Sequence, residues 1–349
     1  MQVRLIGDVH FGKRFPHTTL KTAQTFDEYR ELLFNRLTLN ESVIQMGDLF
    51  DEFSVDDLTF VKGYNAANKC LAVLPGNHDL SKNTDKESAL LLLQSHLGCP
   101  VVTGDFHTLK EGMTEFTLLP HQHTQSIFED RLKFLCELMK NKDDKARFNV
   151  LCLHCNYGAH TGPDADNYLS PTMARELLAS GFSLIVSGHE HNFRNPLPGV
   201  VMLGSIMPMS FGEMENKYVM DYDTQTGAYD LVPSWSSDNY GRYTWQELLL
   251  KDSFTWNNYQ FIEVVGDLEV DDAVKLNRAI SSILKGNDKI VAIKNNTVLH
   301  KQSHRVSDDK VSNWMDVLLA ACSSGEQREA LIALKEQVSN GKKKFAEVD

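Results

Sequence analysis

The chain has 349 residues, 42% of them hydrophobic and 23% charged, with a formal net charge of −12 and a pI of about 5.5. That length exceeds one typical domain, and the composition is that of a globular chain able to bury a sizeable core. The acidic balance argues against a broadly basic nucleic-acid-binding surface, although it says little about the field inside one cleft. No apolar run is long enough to span a membrane. The opening Val3-Arg4-Leu5-Ile6 runs directly into Asp8, so it does not read as a removable leader. The six cysteines show no dense spacing and read as reduced thiols of a cytoplasmic protein.

Through the first two thirds, short β-branched apolar runs alternate with amphipathic stretches, the pattern of an α/β domain. Val3 to Ile6 predicts a buried strand, and Phe26, Tyr29, Leu33 and Leu37 then recur at helical spacing. Val43 to Met46 predicts a second strand, and Ser54 with Asp57 three residues on resembles a capping box opening a helix. Leu71 to Leu74 predicts a strand and Glu87 to Leu97 a helix. Ile127, Leu132, Leu135 and Leu138 mark another helix, and Val150 to His154 another strand. Ser170-Pro171 places an N-cap before a first-turn proline, and Leu184 to Val186 predicts a further strand. The pattern then turns to hairpins: Lys217 to Tyr222 and Ala228 to Val232 flank the turn Thr224-Gln225-Thr226-Gly227. Residues 233–252, with Pro233, Ser234, Ser236 and Ser237, read as a linker. A strand–helix–strand unit follows within 253–300: Phe261 to Val265, Asp271 to Leu284 and Lys289 to Ile293. Residues 308–347 are helical in pattern, with Trp314, Val317, Leu318 and Ala321, then Leu331, Leu334 and Val338.

The polar motifs fall just after the strands, where ligand sites of α/β sheets collect. Asp8-Val9-His10 puts a carboxylate and an imidazole two residues apart, able to face one ion. In Gly47-Asp48-Leu49-Phe50-Asp51 the glycine lets the chain turn sharply, and a carboxylate there can bridge two cations. Gly76-Asn77-His78-Asp79 offers a neutral carbonyl ligand in Asn77 and an adjacent imidazole, His78, free to act on a substrate, with Asp79 able to hold its tautomer. His154 closes a strand, and Gly188-His189-Glu190-His191 puts two imidazoles on one face. Each motif alone has a bland reading as a polar turn, an N-cap or a satisfied polar group. Their recurrence after successive strands points to a site of oxygen and nitrogen donors without thiolate. Such a set suits Mn²⁺, Fe²⁺ or Zn²⁺ and disfavours a calcium cage.

In that order, D-x-H, GD-x-x-D, GNHD, a lone histidine and GHxH resemble the calcineurin-like metallophosphoesterases over roughly residues 1–230. The resemblance implies a four-layer α/β fold, a β-sandwich flanked by helices. It implies one divalent metal ion on Asp8, His10 and His191 and a second on Asn77, His154 and His189, with Asp48 bridging. Mn²⁺ is the first expectation for both, and Mg²⁺ is also compatible. It implies His78 as the catalytic histidine, in contact with the phosphate or protonating the leaving oxygen. Within the superfamily, the form Gly47-Asp48-Leu49-Phe50 and the segment Leu203 to Glu213 look like SbcD-like DNA nucleases, and the short chain looks like phage-encoded recombination endonuclease subunits. The implied domains are a nuclease domain over 1–235, a small α/β capping domain that guides DNA over 253–300, and a helical segment over 308–347 for an SbcC-type coiled-coil ATPase. Relatives also pair as homodimers, and a phage enzyme would act in the host cytoplasm. A phosphatase or nucleotide phosphodiesterase of the same superfamily is the competing expectation.

Many cellular relatives carry a histidine where this chain has Asp51, which leaves Asp51 either catalytic or an orienting partner of His10. There is no G-x-x-x-x-G-K-[ST] phosphate loop, so any ATP dependence would come from a partner. Lys13 and Arg14 read as a solvated loop or as phosphate contacts, and His121 and His123 as a surface turn or part of the site's rim. Cys152 and Cys155 read as core.

Overall fold

The structure is a computed structural model; it describes residues 1–14, 18–20, 23–80, 87–142, 146–158, 166–250, 259–299 and Ile332. The expected α/β class is observed. The first sheet runs, edge to edge, β14 (Tyr229–Trp235), β13 (Lys217–Asp223), β1 (Gln2–Ile6), β3 (Val43–Gln45) and β4 (Cys70–Val73). β1, β3 and β4 are parallel, and the β13–β14 hairpin closes antiparallel on β1. The second sheet runs β11 (Arg194–Leu197), β12 (Val200–Met202), β10 (Leu184–Gly188), β7 (Phe148–His154), β6 (Thr114–Leu118) and β5 (His107–Glu111), with β12, β10, β7 and β6 parallel.

Alternation along the strands builds the layers. Val3 and Leu5 of β1, Ile44 of β3, Ala72 of β4, Val150 and Cys152 of β7, and Leu184 and Val186 of β10 share one buried cluster between the sheets. Each fully buried aliphatic side chain there contributes ~1.5–3 kcal/mol. Their neighbours point outward: Val43 and Val73 pack with Phe26, Leu33 and Phe34 of α1 (Ala23–Thr38), with Ala66 of α2 (Asp57–Ala67) and with Leu90 of α3 (Ala89–Leu97). Leu151, Leu153 and Ile185 pack with Phe128, Leu132 and Leu135 of α4 (Gln125–Lys140) and with Ala174 and Leu177 of α5 (Pro171–Ser180). The result is helix, sheet, sheet, helix. Cys152 and Cys155 lie in different clusters, on opposite faces of the second sheet.

Two local expectations are corrected. The N-cap of α2 is Asp56, not Ser54, because the Asp56 carboxylate accepts from Thr59 N at 2.9 Å. On α4 the buried stripe is Phe128, Leu132, Leu135, Cys136 and Met139, while Ile127 and Leu138 are exposed. The β5–β6 hairpin, joined at Gly112 with φ +59°, carries no signal that alternation alone revealed.

A third sheet runs β15 (Tyr240–Thr244), β16 (Phe261–Leu268), β17 (Ala292–Leu299) and β2 (Thr18–Leu20). The stretch read as a linker therefore carries structure: the end of β14, then β15 and α6 (Trp245–Leu250). Pro233 is tolerated because β14 is an edge strand and needs no N–H on that side. The strand–helix–strand unit is present as β16, α7 (Val270–Gly286) and β17, but its sheet also takes β15 and, from just beyond the first motif, β2. A two-stranded pair, β8 (Asn156–Tyr157) and β9 (Tyr168–Leu169), follows β7. The chain groups into two compact units, Met1–Gly266 with Lys275–Thr297, and Asp267–Val274 with Val298–Asp349. The helical segment read over 308–347 lies outside the described residues, Ile332 apart.

Candidate metal centre

Each chemical motif leaves the carboxyl end of a parallel strand: Asp8 and His10 after β1, Asp48 after β3, Asn77 and His78 after β4, His154 at the end of β7, and His189 and His191 after β10. The two sheets thus bring their functional ends to one place. Bringing them so close demands backbone without side chains. A Cβ on Gly47, whose φ is +105°, would lie 2.0 Å from His154 Nδ1, and one on Gly76 would lie 2.1 Å from Asp48 Oδ1. His10, Asp48 and His189 themselves hold positive φ, at 53°, 52° and 81°. Such conformations cost ~1–3 kcal/mol each, and the surrounding packing must over-determine them.

Three groups of donor atoms close enough for one ion result: Asp8 with His10 and His191, Asp48 with His154 and His189, and His10 with Asp51 and His78. In the first half, His10 Nδ1–H donates to Asp51 Oδ1 at 3.0 Å and His191 Nδ1–H donates to Glu213 Oε2 at 3.1 Å. Both rings then turn Nε2 inward, and the two Nε2 atoms stand 3.3 Å apart. Asp48 Oδ2 lies 3.5 Å from His10 Nε2 and 3.2 Å from His154 Nε2, so it reaches both halves. In the second half, Asn77 Oδ1 is 3.1 Å from His154 Nε2 and 2.9 Å from His189 Nδ1. His154 Nδ1–H donates to Met46 O at 2.9 Å. Asp8 is fully buried and accepts from His189 N at 3.1 Å.

These groups fit divalent cations by their own chemistry. With Nδ1 spent on a carboxylate, the facing Nε2 atoms of His10 and His191 need a proton or a cation between two lone pairs. The same holds where His154 Nε2 and Asn77 Oδ1 meet. In the metal-free protein a proton takes that place: burial alone would lower the His154 pKa, but Asp48 and Asp8 overcome it and push it up to about 10. Burial, then the Asp48 charge, push Asp8 up to about 6, while burial pushes His10 down to about 4 and His189 to about 3. Asp48 opposes its own burial penalty through His154 and His10 and stays well below the usual carboxylate range.

His78 sits beside this cluster, its ring centroid 4.8 Å from that of His10 and its side chain 40% exposed. Its partner is not Asp79. The Asp79 carboxylate is wholly buried and accepts from Gly76 N, Leu49 N and Phe50 N at 2.9, 3.2 and 2.9 Å, tying the second and third motif loops together. His78 Nδ1–H instead donates to the Asp51 carbonyl at 2.6 Å, which leaves Nε2 for a substrate. Asp51 thus positions two imidazoles, His10 through its carboxylate and His78 through its carbonyl. That carboxylate also holds Lys13 Nζ at 2.9 Å, so Lys13 is tied to the site's frame. His121 is buried rather than on a surface turn, 6.4 Å from His154 between ring centroids.

Sequence reasoning missed Glu213, Asp166, Met46 O and Lys217. Lys217 is fully buried and donates to His191 O at 2.9 Å and to Asn192 Oδ1 at 2.6 Å, bracing the last histidine loop. Glu213 lay within a segment singled out for its resemblance, but nothing in its spacing pointed to His191, 22 residues earlier.

Residues 1–193 match the family model described as calcineurin-like phosphoesterase. The chain belongs to the calcineurin-like phosphoesterases. As a member, it is a hydrolase of phosphoester bonds of the kind that uses two divalent metal ions, and the paired donor groups are where this calcineurin-like phosphoesterase can hold them. Among solved structures it is similar to a hypothetical protein from Thermus thermophilus, at 15% identity and a TM-score of 0.42 over 67% of this chain and 99% of that one. It is similar to a novel archaeal phosphodiesterase, at 16% identity and a TM-score of 0.33 over 67% and 99%. It is also similar to GAP50, the anchor in the inner membrane complex of Plasmodium, at 15% identity and a TM-score of 0.40 over 67% and 84%. At these values none of the three bears on substrate. No curated protein matches the sequence. Among the described residues, no helix is long and apolar enough to cross a membrane.

Proposed function

We propose that this phosphoesterase is a DNA nuclease, cutting phosphodiester bonds exo- or endonucleolytically as the nuclease subunit of an SbcC/SbcD-type complex in DNA repair, recombination or replication. The observation that carries its chemistry is the gathering of Asp8, His10, Asp48, Asn77, His154, His189 and His191 beside an exposed His78. Asp8, His10 and His191 would hold one cation and Asn77, His154 and His189 the other, with Asp48 shared. Two divalent ions, Mn²⁺ foremost, supply charge stabilisation at the phosphoryl oxygens and activation of a water nucleophile. His78, fixed through Nδ1, presents Nε2 to contact the phosphate or to protonate the leaving oxygen. Asp51 acts through His10 and His78.

DNA as substrate is supported by the SbcD-like form of Gly47 to Phe50 and of Leu203 to Glu213, and by the added third sheet, read as the capping element. Residues 308–347 are proposed to engage the ATPase partner, and the chain to pair as a homodimer. A second reading, a phosphatase or nucleotide phosphodiesterase, is favoured by the net charge of −12, which suits a small substrate better than a polyanion. One assay separates the two: linear duplex and single-stranded DNA, nucleotides and a phosphopeptide, each incubated with Mn²⁺ with and without chelator. Chelator-sensitive shortening of DNA is expected. Turnover of the small substrates with intact DNA would overturn the nuclease reading.

A further inference from the structure

Three features stand out beyond the inner cluster: the exposed apolar stripe of Ile127, Phe134 and Leu138 on α4, the buried Arg30 with two donor nitrogens that meet no acceptor among the described residues, and the carboxylates of Glu213 and Asp166 standing behind the inward-facing donors. Nothing in the structure indicates what would cover the stripe, and Arg30 is fully buried with its charge already paired to Asp27. The carboxylates carry an inference, because each touches a different half of the centre.

Glu213 is built into its place. Oε2 accepts from His191 Nδ1–H at 3.1 Å and from Met209 N at 3.3 Å, and Oε1 accepts from Ser210 Oγ–H at 3.2 Å. A carboxylate on Nδ1 fixes the tautomer, turns Nε2 inward and raises its basicity. Asp166 stands on the other side. Its Oδ1 is 3.5 Å from Asn77 Nδ2 and its Oδ2 is 3.9 Å from His189 Nε2. It therefore faces the outward atoms of two groups whose inward atoms, Asn77 Oδ1 and His189 Nδ1, lie 2.9 Å apart. An amide whose NH₂ is directed at a carboxylate cannot flip without turning its oxygen toward that negative charge. Asp166 thus supports, from the outer side, the orientation in which Asn77 Oδ1 faces His154 Nε2 and the site. His154, by contrast, leans on a neutral carbonyl, Met46 O.

We infer that Glu213 and Asp166 are positioning residues that divide the labour: Glu213 sets the cation affinity of the Asp8–His10–His191 half, and Asp166 that of the Asp48–Asn77–His154–His189 half. The inference rests on the two-metal reading of the site. Loss of such an outer partner lowers metal affinity about 10- to 100-fold. The longer contacts of Asp166 place it at the lower end of that range.

The test is a Mn²⁺ titration of the full chain, followed by the electron paramagnetic resonance signal of free Mn²⁺. Wild type binds two ions; fewer than two would sink the two-metal reading itself, whatever the variants do. Glu213→Gln is expected to weaken one ion and Asp166→Asn the other. The assignment comes from paired backgrounds. In Asn77→Ala, which cripples the second half, Glu213→Gln weakens the remaining ion and Asp166→Asn does not; in His10→Ala the order reverses. Glu213→Asp, which keeps the charge on a shorter arm, recovers part of the loss, whereas a merely space-filling role would not distinguish it from Glu213→Gln. Unchanged affinities, or equal effects of both substitutions in both backgrounds, would overturn the inference. Metal-free melting temperatures report folding, and should Glu213→Gln not fold, Glu213→Asp and Asp166→Asn carry the same comparison.

Discussion

At the residue scale the candidate centre is a problem in buried charge. Asp8, His10, Asp48 and His154 are all essentially inaccessible, and such a group is tolerated only when paired, protonated or bound to a cation. His154 settles which applies without metal. Its folded pKa of about 10 lies above the ordinary histidine value of 6.5, so its contribution to stability is complete below pH 6.5 and is lost as pH rises through about 10. At pH 7.5 it is an imidazolium, and a cation must displace that proton. Calorimetry of Mn²⁺ binding at pH 7.5 in two buffers of different ionisation enthalpy is therefore expected to show net proton release; heats independent of buffer would contradict it. His78 has a different position, exposed and outside the seven donors. His78→Ala is expected to leave Mn²⁺ stoichiometry at the wild-type value and to lower kcat by about 10²- to 10⁴-fold, the usual contribution of a general acid. Wild-type turnover by that variant would remove His78 from the mechanism.

At the element scale, strand ends and the tight turns after them aim the donors. Val3, Leu5 and their counterparts bury the strands between the sheets, and a ligand follows at the strand end itself, as at His154, or within four residues of it. Gly47 shows the constraint. Its φ of +105° and the 2.0 Å that would separate an added methyl from His154 Nδ1 leave no room for a side chain. Gly47→Ala is expected to abolish binding of at least one Mn²⁺ and with it hydrolysis, while circular dichroism still reports the folded α/β chain. Full Mn²⁺ binding by that variant would mean the loop can shift at little cost. The elements themselves are readable from alternation and helical spacing wherever one face alone is buried. They are misread where the chain carries edge-strand proline and serine, as at 233–252, because composition reports solvent exposure there and not backbone pairing.

At the scale of the whole molecule, the centre joins two sheets. Asp8, His10, Asp48 and Asn77 come from the first, and His154, His189 and His191 from the second, so bound ions staple one to the other. Ligand at 100 times its Kd stabilises the folded state by about 2.7 kcal/mol per site. Chelation is accordingly expected to lower Tm by several degrees in calorimetry, and an unchanged Tm would mean the ions do not bridge the sheets. The sequence by itself determined the α/β class, the strands that carry donors and the types of donor, because apolar alternation and the residues that follow each strand are local properties of the chain. Only the tertiary structure decided that Asp79 ties loops and not His78, that Asp51 serves two imidazoles, that Glu213 and Asp166 stand behind the donors, and that Thr18–Leu20 pairs with Ala292–Lys294. Those contacts join residues brought together by how two sheets close on each other, for which no spacing along the chain is a signal.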